Sequence, residues 1–146
     1  MKVGKIVDAK GRSVVTIRPD TSILTAVHRL ALERIGALVV SEDGQRVAGI
    51  ISERDIVRAV AEGGPELLSS ARRVAEVMTR NVFTCTSEDT VKHVMGEMTR
   101  RRVRHLPVID GGKLAGIVSI GDIVKNRLEE VELEADVLRG AYLATH

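Results

Sequence analysis

Two short segments carry the same polar side chains at the same spacing. Gly49-Ile50-Ile51-Ser52-Glu53-Arg54-Asp55-Ile56-Val57 returns as Gly116-Ile117-Val118-Ser119-Ile120-Gly121-Asp122-Ile123-Val124. In each, a serine stands three residues before an aspartate. The aliphatic start reads as a buried strand and the end as the opening of a helix. Serine then sits at the N-cap, beside amide groups that have no intrahelical acceptor. The helix dipole adds positive potential there, so the junction suits a phosphate group. The aspartate, one turn further on, can accept hydrogen bonds from two adjacent hydroxyls, as on a ribose. The same Ser-x-x-Asp spacing is also that of a capping box, in which the acid turns back on its own helix end. Local pattern alone leaves both readings open.

Other candidate groups are fewer. The run Arg100-Arg101-Arg102-Val103-Arg104 closes a predicted helix, where cations complement the dipole and are usually solvated. The same cations could meet nucleic-acid phosphates. Phe83 and Tyr142 are the only aromatic residues, so single-strand binding lacks its stacking groups. A net charge of +2 gives no global attraction to nucleic acid or to a membrane. Cys85, the single cysteine, cannot form an internal disulfide and suits a reducing cytoplasm. His28, His93, His105 and His146 show no metal-ligand spacing. The chain has no Walker loop, dinucleotide fingerprint or nucleophile elbow, and no enzyme is expected. No apolar run could span a bilayer, and the N-terminal residues lack the apolar block of a signal peptide.

The elements that must position these groups repeat as well. Residues 1–13 read as an approach segment. Strands are predicted at Val14–Ile17, Ala37–Val40 and Val47–Ile51, with helices from Ile23 to about Arg34 and from Ser52 to about Ala61. Glu62-Gly63-Gly64-Pro65 marks a linker. The second half has a short helical lead-in at Arg73–Met78 and strands at Val82–Cys85, His105–Ile109 and Leu114–Val118. One helix carries Val91, Val94, Met95 and Met98, and a long helix closes the chain. Thr16 aligns with Thr84 and Gly44 with Gly112. After a one-residue deletion in the turn, Val57 aligns with Val124. Each half is therefore β-α-β-β-α, in an α+β fold. A unit that small buries too little surface to stand well alone, so the two should pack about a pseudo-twofold axis.

With Arg104-His105-Leu106-Pro107-Val108-Ile109-Asp110, the two Gly-aliphatic-aliphatic-Ser-x-x-Asp elements and Ala75-Glu76-Val77-Met78-Thr79, the chain resembles a tandem pair of cystathionine-β-synthase (CBS) domains, or Bateman module. It looks like a stand-alone bacterial or archaeal pair. The domains fall at residues 8–65 and 76–132, with a helical extension over 133–146. The resemblance implies a regulatory sensor that binds an adenosine-containing ligand between its repeats: AMP, ADP, ATP, NAD(H) or S-adenosylmethionine. It places phosphate at Ser52 and ribose at Asp55 in one site, and Ser119 and Asp122 correspondingly in the other. It further implies phosphate contacts from Arg104 and His105 in the second repeat, where the first has Gly36 and Ala37. The first repeat carries Arg54 instead, so the sites should differ. Adenine would lie among Ile17, Leu38 and Ile50, or among Cys85, Leu106 and Ile117. The alternative is an interaction or nucleic-acid-associated module that uses the fold without a small ligand.

A homodimer is expected, and the regulated protein is unknown. Val124, Leu128, Val131, Ala135, Leu138 and Tyr142 form a narrow apolar seam on the last helix. Glu129, Glu130, Glu132, Glu134 and Asp136 follow one another with no basic residue between them. A parallel self-pairing would gather these acids. The expectation is instead that this helix packs on the helices of the repeats, its own or a partner's.

Overall fold

The computed structural model describes residues 1–69 and 71–145; His146, in the predicted extension, lies outside them. The elements run α1 (Val3–Lys10), β1 (Thr16–Ile17), α2 (Ile23–Glu33), β2 (Ala37–Val40), β3 (Gly49–Ser52), α3 (Glu53–Gly63), α4 (Glu66–Ser69), a 3₁₀ turn (Val74–Glu76), α5 (Val91–Arg101), β4 (His105–Asp110), β5 (Lys113–Ser119) and α6 (Ile120–Thr145). In the first repeat β1 pairs parallel to β2, and β2 pairs antiparallel to β3. In the second, β4 and β5 are antiparallel. The predicted strand at Val82–Cys85 is reduced to one parallel bridge, Cys85 to Val108. That bridge is the counterpart of Ile17 to Val40 in β1–β2, itself shorter than the predicted Val14–Ile17 strand. At both edges the pairing that remains includes the buried residue, Ile17 or Cys85.

Residues 1–13 do more than approach. Helix α1 buries Val3, Ile6 and Val7 in the core of the second repeat, against Val94, Met98 and Leu106. Reciprocally, Val74 and Met78, which lead into the second repeat, complete the core of the first with Ile23, Leu38 and Ile51. Each repeat's core is closed by the segment that introduces the other. This exchange has the symmetry of a pseudo-twofold pair. It also explains the glycine that opens each motif. A Cβ at Gly49 would stand 2.7 Å from Met78 Sδ and 2.8 Å from the Thr79 carbonyl oxygen. A Cβ at Gly116 would stand 2.7 Å from Val7 Cγ1. Helix α6 runs unbroken across residues 132 and 133. Ile123 and Asn126 anchor its start, and from residue 131 to 144 every position is exposed. Among the described residues no helix is long and apolar enough to cross a membrane.

Candidate functional site

Strand β3 delivers Ser52 to the N-cap of α3, and a capping box forms there. Asp55 N–H donates to Ser52 Oγ at 3.2 Å, while the Asp55 carboxylate accepts from Ser52 N–H at 2.9 Å. Glu53 N–H donates to the Gly36 carbonyl at 3.0 Å. Three amide donors at this helix start are thus engaged within the chain. The other Asp55 oxygen accepts from Thr79 Oγ1 at 3.2 Å, a contact supplied by the lead-in to the second repeat. The second motif repeats the geometry. Ser119 N–H donates to Asp122 at 2.9 Å, Asp122 N–H to Ser119 Oγ at 3.2 Å, and Ile120 N–H to the Arg104 carbonyl at 2.8 Å. Here Lys10 of α1 takes the place of Thr79, with Nζ 2.7 Å from Asp122 Oδ2. Burial pushes the Asp122 carboxyl up, but Lys10 and Ser119 outweigh it and hold the group below its ordinary value. The two readings of the motif therefore meet in the first repeat alone: each aspartate caps its helix, and Asp55 still borders a cleft between the repeats, whereas Asp122 lines neither such cleft.

The larger cleft, of about 490 Å³, lies between the repeats. Ile50, Ser52, Arg54 and Asp55 form one wall, and Arg101 to His105 form the other. The basic groups are not divided between two sites as the resemblance implied: Arg54 and Arg104 face the same space, with Arg58 and Arg102 beside them. Arg54, Arg58 and Arg104 form no ion pair among the described residues. Arg101 is held in place by stacking over Phe83 at 4.0 Å and by pairing with Glu97 at 2.6 Å. The cation excess comes from crossing the repeats. The residues before β4 reach over to the first repeat's motif, an arrangement the linear sequence does not display.

A second cleft, of about 300 Å³, is bordered by Lys10, Val14, Arg34, Ala37, Ile117 and Ser119. It is the pseudo-symmetric counterpart, with Arg34 standing where Arg102 stands in the first. Both arginines end their helices in the left-handed region, at φ 54°. Gly36 and His105 border both clefts. A Cβ at Gly36 would lie 3.2 Å from His105 Cε1, so the glycine makes room for the imidazole. Burial lowers the His105 pKa, and Lys10 lowers it further; Glu53 and Asp122 pull the other way without reversing the shift. The ring is therefore neutral at pH 7. Ile17 and Leu38 lie in the first core and Leu106 in the second, and none of these predicted base contacts lines either cleft. Cys85 is buried too, and burial pushes its thiol up to about 12. Ile50 and Ile117 do face the clefts. Lys10, Arg34, Arg58 and Thr79 are among the site-lining residues that sequence reasoning missed.

A family model described as the CBS domain matches residues 6–62 and again 74–129. The chain belongs to the CBS domain family. Its fold is similar to that of a CBS-domain containing protein from Agrobacterium tumefaciens, with a TM-score of 0.82 and 47% identity, covering 87% of this chain and 99% of that one. It is 33% identical to the mitochondrial CBS domain-containing protein CBSX3 of Arabidopsis thaliana, over 96% of this chain and 73% of the relative. The CBS domain pair of protein MJ0100, solved in complex with 5'-methylthioadenosine and S-adenosyl-L-methionine, is 28% identical with a TM-score of 0.76, covering 89% of this chain and 98% of that one. This chain is thus a tandem CBS pair with a C-terminal helix, in which the first repeat brings Ser52 and Asp55 to the larger cleft and the second brings Ser119 to the smaller one.

Proposed function

We propose that this CBS pair is a regulatory module that binds an adenine nucleotide in the larger cleft. AMP, ADP, ATP and NAD(H) are the class. The observation that carries the reading is the crossing of the repeats there, which sets Arg54 and Arg104 opposite one another beside the capped Ser52–Asp55 turn. The ribose hydroxyls would donate to Asp55, and the phosphates would take Arg54, Arg104 and an N–H of the neutral His105 ring. Ile50 offers an apolar face to the base. The volume falls within the range of small-molecule sites. Arginine provides the planar donor pairs that phosphate oxygens accept.

The second cleft is smaller and less cationic, and no aspartate lines it, since Asp122 is turned to Lys10. A less anionic adenosine derivative, such as S-adenosylmethionine, suits it better than a polyphosphate. The adenosine compounds bound to the MJ0100 pair support this chemistry for the fold. The proposed role is non-catalytic and cytoplasmic: the ligand leaves unchanged, and its occupancy is read by a regulated protein through a homodimeric module.

Mass spectrometry of what co-purifies with the native protein, released by denaturation, tests the reading. An adenine nucleotide is expected. A nucleotide at a hundred times its dissociation constant should add about 2.7 kcal/mol to stability. For a chain of this size that raises the melting temperature by roughly 5–10 °C. No co-purifying ligand, and no shift with AMP, ADP, ATP, NAD(H) or S-adenosylmethionine, would replace this reading by that of an interaction module.

A further inference from the structure

Helix α6 leaves the body of the protein with a large apolar stripe uncovered. Val124, Leu128, Val131, Ala135, Leu138 and Tyr142 follow one another at spacings of four and three. Leu128 is 57% exposed, Val131 46% and Leu138 71%. Ile123 and Asn126, which bury the start of the helix, lie on a different face. From Val124 to Leu138 each residue of the stripe is exposed. Alternation of four and three is the heptad seam that a second helix covers. Leu128, Ala135 and Tyr142 take its a positions, and Val124, Val131 and Leu138 its d positions.

We propose that α6 pairs with α6 of a second copy of this chain, parallel and in register. The charges beside the seam choose the partner and the direction. In a parallel pair each g position faces the e position of the next heptad on the other helix. The g positions are Arg127 and Glu134, and the e positions that face them are Glu132 and Arg139. Arg127 would meet the partner's Glu132, and Glu134 the partner's Arg139, with both contacts doubled by symmetry. An antiparallel pair with the seam centred on residue 133 would set Glu132 against its own copy and Lys125 against Arg139. The run of acids does not oppose the parallel arrangement, contrary to the expectation from the linear sequence. Glu129, Glu130 and Asp136 fall at b and c positions, which point outward. Arg127 now pairs on its own helix with half-buried Glu130 at 3.1 Å, and Arg139 with exposed Asp136 at 4.0 Å. Ion pairs at the surface contribute little and are readily exchanged.

Leu133 provides an internal control. It is 64% exposed, nearly as open as Leu138, but occupies the outward f position. Sedimentation of the full chain should show a dimer. Leu138→Asp should raise its dissociation constant at least about a hundredfold, because one leucine is lost from each of two helices. Leu133→Asp should leave it unchanged. Direction is read by oxidation. Leu138→Cys and Leu128→Cys should each cross-link to themselves, while buried Cys85 stays unreacted. A monomeric parent overturns the proposal. So does equal sensitivity to Leu133→Asp and Leu138→Asp, or cross-linking only between Leu128→Cys and Leu138→Cys chains when mixed. Charge exchange adds a readout that unfolding would not mimic: Glu134→Arg should weaken the dimer, and adding Arg139→Glu should restore it.

Discussion

At the scale of single residues, the clefts are governed by groups whose protonation and backbone conformation are set by their neighbours. His105 is half-buried between both clefts with a lowered pKa. Its unfolded counterpart, with an ordinary value of 6.5, takes up a proton first as pH falls. Folding is therefore fully supported above that value, and stability declines as pH drops below it toward the lowered native one. Thermal melts from pH 7.5 to 5 should fall less steeply for His105→Gln than for the parent; identical slopes would mean that the imidazole is not desolvated. Arg34 sits at φ 54°, a conformation that glycine adopts without strain. Arg34→Gly should stabilise the free protein by about 0.5–1 kcal/mol in chemical denaturation. It should also weaken binding in the smaller cleft. The serines and aspartates were legible at this scale because their spacing is local. Lys10 and Thr79 were not, since they join the clefts only through the exchange of lead-in segments between repeats, nor was Arg34, which ends α2 and shares a cleft with Ile117 and Ser119 of the other repeat only in the folded pair.

At the scale of elements, that exchange accounts for the glycines of the motifs and for α1. Gly116→Ala would drive a methyl into Val7, and overpacking of this sort costs about 1–3 kcal/mol. Val7→Ala should relieve the clash. Urea denaturation of the two single variants and the double is expected to show that the double loses less than the sum of the singles; strict additivity would mean that α1 does not pack there in solution. Lys10 links the same helix to Asp122. With its carboxyl held below the ordinary 3.8, Asp122 supports folding above that value, and the support is lost as pH falls through the lowered one. Lys10→Ala removes a cause of the lowering, so its acid-unfolding midpoint should move to higher pH, followed by circular dichroism. Helices α2, α3 and α5 were readable in sequence because each carries a cap and a periodic apolar face. Helix α1 was not: Lys2 offers no side-chain cap, and the helix owes its place to a core some eighty residues away in sequence. The Val82–Cys85 edge was overread for a related reason. Strand-forming residues there meet a partner only at Cys85.

At the scale of the whole molecule, two similar halves make two unequal clefts. The symmetry of the repeats was legible in their alignment, and so was the difference in cations. Where those cations go was not, because it depends on residues before β4 crossing to the motif of the first repeat. The central claim is that the larger cleft binds an adenine nucleotide through Asp55 and the cations gathered around it. Calorimetric titration of ATP into the parent, Asp55→Ala and Asp122→Ala tests it, at a temperature where all three remain folded, since each aspartate also caps a helix. Hydrogen bonds to a charged group contribute about 1.5–3 kcal/mol. Asp55→Ala should therefore weaken ATP binding at least about tenfold, with Asp122→Ala close to the parent. ATP binding that is absent from the parent, or equal in the parent and Asp55→Ala, would contradict the claim.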